Sequence, residues 1–209
     1  MPQLLQANEI TLGDLQKKFQ LRRSQNNEFF TEWFDQLPVL TDSEEQALDR
    51  IQQNFLNQLE SRLMIEETVK LVVIAPLLDL AGFYQHPFRI DTEVSVELKV
   101  PGDHDEIIQG RLYPLIVQEQ LWILVVESKR TQLSLHTGIP QVLASMLASP
   151  NRDRPSFGLI TNGSEFTFTK VVQQPTPEFD VSTLFSILNR GNDLYEVLRI
   201  LKRIGNLIQ

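Results

Sequence analysis

Residues 121 to 129 have the sequence LWILVVESK, and this stretch decides the fold class. Its first six residues are apolar on both faces of an extended chain, which is typical of a central strand buried inside a sheet. Glu127 and Lys129 follow two positions apart, so on a strand both side chains project to the same side. The pattern therefore predicts a carboxylate and an ammonium group together at the end of a buried strand, where α/β proteins commonly place their sites.

Further strands are predicted on both sides of this stretch. From Phe88 to Val100, apolar and polar residues alternate with a period of two, which predicts a strand with one buried face. A second strand is predicted near Ile107 to Val117. Two more strands, at 156–161 and 165–172, flank Asn162-Gly163, which is a strong hairpin signal.

Helices are predicted between and around these strands. One spans about Ile65 to Leu80 with a kink at Pro76, and another begins at Pro140 and reaches Ala148. The core order is then helix, three strands, helix and strand, followed by an extra hairpin strand. The expected fold is α/β, with a mixed sheet between helices and helical flanks at both ends.

The flanks carry their own helix signals. Capping-box patterns at Thr11–Asp14 and Thr41–Glu44 predict helix starts in the first sixty residues, and apolar positions from Leu194 to Leu207 predict a final amphipathic helix. The chain is expected to form a single structural domain with three segments: a helical N-terminal extension, 1–62, a core, 63–173, and C-terminal helices, 174–209.

Composition and charge exclude several classes of protein. The 209 residues are 42% hydrophobic and 22% charged, which excludes a disordered or fibrous chain. There is no cysteine, so neither a disulfide framework nor a thiolate metal site can form. The net charge of −8 argues against non-specific coating of nucleic acid, although residues 131–209 are nearly neutral, with seven Lys/Arg and six Asp/Glu. The charge distribution therefore still allows a local surface that contacts DNA.

The cellular location is predicted from segments that are missing. The first ten residues, MPQLLQANEI, lack the basic and apolar stretches of a secretory signal. The longest apolar stretch, 71–82, is interrupted by Pro76 and Asp79 and is too short to span a bilayer. We expect a cytoplasmic protein with no membrane partner.

The Glu127/Lys129 pair has two interpretations. A carboxylate at a strand end can bind Mg²⁺, and a neighbouring lysine can orient a water molecule or stabilise developing charge. The alternative is a simple salt bridge at the strand end with no catalytic role, because a Glu-x-Lys pair is very common. A zinc site is not predicted, since the histidines are far apart and lack helical or cysteine partners: His86, His104 and His136.

The wider context of this pair resembles the PD-(D/E)xK nuclease superfamily. More narrowly, it is similar to the N-terminal nuclease domain of type I restriction enzyme R subunits and its stand-alone bacterial relatives. The matching pieces span about half the chain. In chain order they are the acidic helix start Glu66-Glu67, Glu93 on the first strand, Gly110-Arg111 on the second, Glu127-Ser128-Lys129, Gln141 at the next helix start, and the turn Thr161-Asn162-Gly163.

The resemblance implies a Mg²⁺-dependent DNA endonuclease. It implies that Glu127 and Glu93 bind the metal, that Lys129 supports the attacking water, and that Glu67 assists. Gln141 would orient the phosphate from the start of its helix. DNA and other subunits of a restriction system are the implied partners.

One position departs from the family pattern. After Gly-Arg the family has a small or apolar residue and then a metal-binding aspartate, but here the run is Gly110-Arg111-Leu112-Tyr113-Pro114. A neutral phenol with a pKa of about 10 is a poor Mg²⁺ ligand, because this hard cation prefers charged or carbonyl oxygens. We therefore expect a nuclease-like fold with a degenerate metal site and a DNA-associated role, with Mg²⁺ bound only if the site is active.

Three alternatives stay open, and with them the question of whether the chain is an enzyme. A rearranged site built from Glu93, Glu127 and Lys129 would keep an active endonuclease. A non-catalytic module would keep the fold for DNA or protein binding, with the phenol filling the old metal pocket. The aromatic cluster at 29–34 and the 194–207 stripe would form a homodimer interface, although docking of the cluster on the chain's own core is the simpler explanation.

Overall fold

A computed structural model of the chain describes residues 3–6, 10–61, 65–91, 95–99, 106–111, 115–117, 121–125, 135, 138–149 and 151–208. Its helices are α1 (Leu12–Phe19), α2 (Asp42–Ser61), α3 (Glu66–Val69), α4 (Ala75–Leu80), α5 (Gly138–Leu147) and α6 (Leu194–Leu207), with a π-helical turn, Lys70–Ile74, joining α3 to α4. Its strands are β1 (Gln3–Gln6), β2 (Arg22–Arg23), β3 (Ile90–Asp91), β4 (Ser95–Lys99), β5 (Glu106–Arg111), β6 (Leu115–Val117), β7 (Leu121–Val125), β8 (Ser156–Thr161), β9 (Glu165–Val172), β10 (Glu178–Val181) and β11 (Phe185–Ser186). Within these ranges no helix is long and apolar enough to cross a membrane.

The α/β class predicted from the sequence is confirmed. Among the described residues, eight strands form one mixed sheet in the order β2-β10-β9-β8-β7-β6-β3, with β11 pairing to β9 outside that path. The predicted central strand is β7, which has antiparallel β6 on one side and parallel β8 on the other. Helix α5 forms part of the crossover from β7 to β8, as a connection between parallel strands requires.

The large sheet lies between two layers of helices. Alternate residues of β7 and β8 enter two different cores, because successive side chains of a strand point to opposite faces. Leu121 and Phe157 belong to the core formed with α2, α3, α4 and α6. Trp122 and Ile160 belong to the core formed with α1 and α5.

The strand predicted from Phe88 to Val100 is wrong in one respect, because it is two strands in two sheets. β3 pairs with β6 at the edge of the large sheet, whereas β4 pairs with β5 in a separate three-stranded sheet with β1. The strand predicted near Ile107 to Val117 is divided in the same way, into β5 and β6. A uniform period of two cannot show where the chain passes from one sheet to another, since both parts alternate alike.

The helix predicted from Ile65 to Leu80 is present, and its expected irregularity takes the form of the π-helical turn. Pro76 has no N–H, and its ring collides with the carbonyl four residues earlier in a regular α-helix. Directly before it, the Ala75 N–H donates to the Lys70 carbonyl, one residue further back than in an α-helix. The wider turn therefore brings the chain to the proline without ending the helix.

The N-terminal extension is only partly helical. The predicted box at Thr11 is present, since the Thr11 N–H donates to Asp14 Oδ2 at 3.0 Å and the Asp14 N–H donates to Thr11 Oγ1 at 3.2 Å. However, residues 27–30 and 32–34 form turns rather than a helix. The aromatic cluster at 29–34 still docks on the chain's own core, as the simpler explanation predicted, with Phe30 buried at 2% exposure.

The C-terminal segment corrects a second expectation. Residues 174–209 were predicted to contribute helices alone, but β10 and β11 join the large sheet before α6 begins. The apolar stripe of α6 is present and is buried in the core of the same chain. The buried part of this stripe is therefore not available for the homodimer interface considered above, while a homodimer and the three-segment division both stay predictions.

The second capping box predicts a pH effect on stability. The Thr41 N–H donates to Glu44 Oε2 at 2.8 Å, and Lys202 of α6 donates to the same carboxylate. Burial alone raises the pKa of Glu44, but the hydrogen bonds from Lys202 and Thr41 outweigh it, and the pKa lies below its ordinary value of 4.5. A lowered pKa stabilises the fold above that ordinary value, and the stabilisation is lost as the pH falls through the folded-state pKa.

We therefore expect the free energy of unfolding of Glu44→Gln to fall less than that of the native chain when the pH is lowered below about 5. Urea unfolding at a series of pH values measures this difference. The matched control is Glu45→Gln, which removes the same charge from the exposed neighbouring position without breaking the capping box. Identical pH dependence in Glu44→Gln and the native chain would contradict the prediction.

Candidate functional site

The predicted site belongs, by its sequence position, to the carboxyl end of β7. In the parallel ladder with β8, Val125 pairs with Thr161, so both strands end at the same edge of the sheet. Glu127 and Lys129 come two and four positions after Val125 and lie outside the described residues, as do Glu93 and Tyr113. The structure therefore describes the rim of the predicted site rather than its centre.

The turn between β8 and β9 forms one part of this rim and has a defined geometry. The Gly163 N–H donates to Thr161 Oγ1 at 2.9 Å, and Asn162 Oδ1 accepts from the N–H groups of Ser164 and Glu165 at 3.0 and 2.9 Å. Gly163 has a φ of 92°, which glycine adopts without steric cost. The predicted Thr-Asn-Gly turn is thus confirmed, and it lies beside the end of β7.

The acidic start of α3 lies at the same edge. A Cβ atom added to Gly163 would be 2.9 Å from Val69 Cγ2, so α3 packs directly against the turn. Glu66 is occupied by an ion pair with Lys70, whose Nζ is 2.5 Å from Glu66 Oε1. Glu67 is exposed and forms no ion pair with another described residue. Of these two predicted carboxylates, Glu67 is the one available at the rim.

Gln141 reaches this edge from the other layer of helices. Because α5 lies in the crossover from the end of β7 to the start of β8, its first turn belongs to the carboxyl-terminal edge. Gln141 is half-buried in that turn, and its backbone carbonyl accepts from Ser145 Oγ at 3.0 Å. The structure therefore brings Glu67 and Gln141 to one edge of the sheet, but on opposite faces.

The strand pairing changes between β3–β6 and β4–β5, and the sequence does not show this change. Two pairs bound the interval in which the pairing changes: Asp91 with Ile116, and Ser95 with Arg111. The first pair belongs to the large sheet and the second to the three-stranded sheet, and positions 92–94 and 112–114 between them lie outside the described residues. Tyr113 belongs to this interval by its sequence position.

Carboxylates in the described part of the chain do not form a metal site. Across the described ranges, no group of three or more His, Asp or Glu side chains is placed to hold a metal ion. Asp91, on the predicted polar face of the first strand, is paired with Arg89, whose Nη2 lies 3.1 Å from Asp91 Oδ1. Glu93 and Glu127, the metal ligands that the resemblance implies, lie outside the described residues.

Comparison with known proteins identifies no relative. No protein-family model matches the chain, and no curated protein matches it. The function is therefore argued from the chemistry of the predicted site and the geometry of its rim.

Proposed function

We propose that the chain is a restriction-endonuclease-like protein of the PD-(D/E)xK type, related to the nuclease domains of type I restriction R subunits, with a degenerate metal site and a DNA-associated role. One observation carries the proposal. A Glu-x-Lys pair directly follows a buried central strand that has an antiparallel neighbour on one side and a parallel neighbour on the other. The ends of β7 and β8 share one edge with the starts of α3 and α5, which is where a site at Glu127 and Lys129 needs its supporting residues.

The alternation of β7 supports a common face for the two key residues. Leu121 faces the core that contains α3, and Trp122 faces the core that contains α5. We propose that this alternation continues beyond Val125, in which case Glu127 and Lys129 both belong to the α3 face. Glu67 approaches the edge from that same layer, so the proposal groups Glu127, Lys129 and Glu67 on one side of the sheet.

Tyr113 determines the state of the site in this proposal. The resemblance requires an aspartate shared by the metal at this position, and a neutral phenol does not fit a Mg²⁺ ligand set. Without that carboxylate we assign Glu127 to an ion pair with Lys129 rather than to a metal. The chain then associates with DNA without cutting it, and other subunits of a restriction system would supply cleavage and translocation.

Plasmid cleavage in the presence of Mg²⁺ or Mn²⁺ tests this function. We expect no cleavage by the native chain, and we expect Tyr113→Asp to nick supercoiled DNA because it restores the missing carboxylate. Glu127→Ala in the Tyr113→Asp background should abolish that nicking. Tyr113→Asn is the matched control, since it removes the phenol without adding a charge, and it should stay inactive.

Two outcomes would contradict the proposal. Native cleavage that Glu127→Ala abolishes would mean an active, rearranged site, with Glu93 as the first candidate for the additional ligand. An inactive Tyr113→Asp chain that is folded and binds DNA would count against a nuclease scaffold altered at one position.

A further inference from the structure

We propose that a second surface binds the phosphate backbone of duplex DNA. It lies where β2 and β8 begin, at the end of the strands opposite to the carboxyl end of β7, and is called the basic edge. This basic edge consists of Lys17, Arg22, Arg23, Arg152 and Arg154. The choice of DNA as the ligand rests on the proposed function, whereas the surface itself is argued from described residues.

The basic residues of the N-terminal extension are concentrated in one short stretch. Residues 17–23 contain four Lys/Arg and no Asp/Glu, although residues 1–60 contain five Lys/Arg against ten Asp/Glu. In a chain with a net charge of −8, this stretch creates a local field of the opposite sign. Lys17 also complements the negative end of α1, but Arg22 and Arg23 lie beyond the helix and are not explained by its dipole.

A cleft of about 450 Å³ lies between the end of α1 and β2. The described residues that line it are Gln16, Gln20, Leu21, Arg22, Arg23 and Gln25. Leu21 is buried, and the other five are exposed and carry amide or guanidinium donors. None of these described lining residues is a carboxylate, so the cleft offers donors and positive charge to phosphate oxygens.

The two arginines of β2 differ in their surroundings. Arg23 is positioned by Asp180, with Arg23 Nε 3.0 Å from Asp180 Oδ1, while its side chain stays 63% exposed. Arg22 is exposed, and no ion pair joins it to Glu178, its ladder partner, or to any other described residue. An exposed charge on an edge strand also prevents pairing with other sheets, but that role does not require a donor-lined cleft beside it.

Strand register extends the basic surface to the loop before β8. The pairs that connect the strands are Arg22 with Glu178, Glu178 with Val172, and Val171 with Ser156. β2 and β8 therefore begin at the same edge, three strand spacings or about 14 Å apart. Arg152 and Arg154 lie in the loop directly before β8 and are exposed, as is Asp153 between them, so the three residues add one net positive charge. Arg22 and this loop therefore belong to one surface, where β2 and β8 begin.

The basic edge is separate from the candidate cleavage site. β8 begins at the basic edge with Ser156 and ends with Thr161 beside the end of β7. Its six residues put about 20 Å between the two edges. Contact with DNA at the basic edge can therefore be changed without touching Glu127, Lys129 or Tyr113.

Binding of a labelled DNA duplex of about 30 base pairs tests the inference, measured by fluorescence anisotropy in EDTA from about 50 to about 200 mM salt. The affinity of the native chain should fall with salt, with a logarithmic slope of about −0.9 for each phosphate contact. Arg22→Gln and Arg154→Gln should each weaken binding and reduce the slope by about 0.9, and together by about twice that amount. The control is Arg50→Gln, an equal charge change at an exposed position on α2, which should leave the slope unchanged.

No binding by the native chain at the lowest salt would overturn the inference, as would equal losses in Arg22→Gln and Arg50→Gln. Tighter binding of an RNA duplex of the same length would overturn DNA as the ligand. The two proposals fail separately. A Tyr113→Asp chain that cannot cut DNA but binds it at the basic edge refutes the nuclease part of the proposed function and leaves the basic edge standing. If Tyr113→Asp restores cleavage while Arg22→Gln and Arg154→Gln leave the salt slope of DNA binding unchanged, the basic edge alone is refuted.

Discussion

Lys170→Met is expected to lower the free energy of unfolding by about 3 kcal/mol, because it removes one half of a largely buried ion pair. Lys170 Nζ lies 2.6 Å from Glu32 Oε1 and donates to the Phe29 carbonyl at 2.8 Å, and the two charged side chains are 12% and 13% exposed. In the variant, Glu32 keeps its charge in an apolar setting, where its Oε2 atom already lacks a hydrogen-bond partner. Urea unfolding measures the loss.

The double variant Glu32→Leu/Lys170→Met should recover most of that loss, since it removes both charges and keeps the side-chain volume. Glu28→Gln is the control on the same segment, because Glu28 is exposed, and we expect a change within about 0.5 kcal/mol. A loss below about 1 kcal/mol for Lys170→Met would place the pair among ordinary surface ion pairs and contradict the prediction.

Gly163→Ala is expected to destabilise the chain by about 3 kcal/mol for two independent reasons. The φ of 92° costs an L-residue about 1 to 2 kcal/mol. The added Cβ would also lie 2.9 Å from Val69 Cγ2 and 3.0 Å from Phe55 Cε2, and overpacking of this kind costs about 1 to 3 kcal/mol. Thermal and urea unfolding both measure the effect.

Two other glycines separate these causes. Gly82 has a φ of 82° with no atom within 4 Å of an added Cβ, so Gly82→Ala reports the backbone cost alone. Gly191 has neither a left-handed φ nor a close neighbour, so Gly191→Ala should change little. The expected order of destabilisation is Gly163, then Gly82, then Gly191. Equal losses at Gly163 and Gly82 would contradict the tight packing of α3 on the turn at the rim of the site.

The features predicted correctly from the sequence are local. The Asn162-Gly163 hairpin, the two capping boxes and the stripe of α6 each depend on residues within a few positions of one another. Physical causes at that range leave their own patterns in the sequence, such as a period, a cap or a residue that permits positive φ. These patterns were sufficient for the α/β class and for the central position of β7.

The features that were not predicted depend on distant residues. Lys170 and Glu32 are 138 positions apart, and no local sequence pattern predicts their ion pair. Residues 27–30 and 32–34 form turns, and Phe30 packs against Phe157 of β8, a distant contact that no local pattern shows. The division of the early strands between two sheets follows from pairing partners, which a period of two does not encode.

The candidate site was predicted in parts. The turn after Thr161 is confirmed, and the positions of Glu67 and Gln141 at one edge agree with a site there. The change of pairing between β3–β6 and β4–β5 was not predicted, because a period of two does not encode the pairing partners. The roles of Glu127, Lys129 and Glu93 stay predictions.

In the proposed function, Tyr113 disables a metal site built around Glu127. Titration calorimetry with Mn²⁺ tests it most directly, comparing the native chain, Tyr113→Asp, Tyr113→Asn and Tyr113→Asp/Glu127→Gln. We expect no saturable site in the native chain or in Tyr113→Asn, one site in Tyr113→Asp, and loss of that site in the double variant. A native chain that binds Mn²⁺ as tightly as Tyr113→Asp, or a folded Tyr113→Asp chain that gains no site, would contradict it.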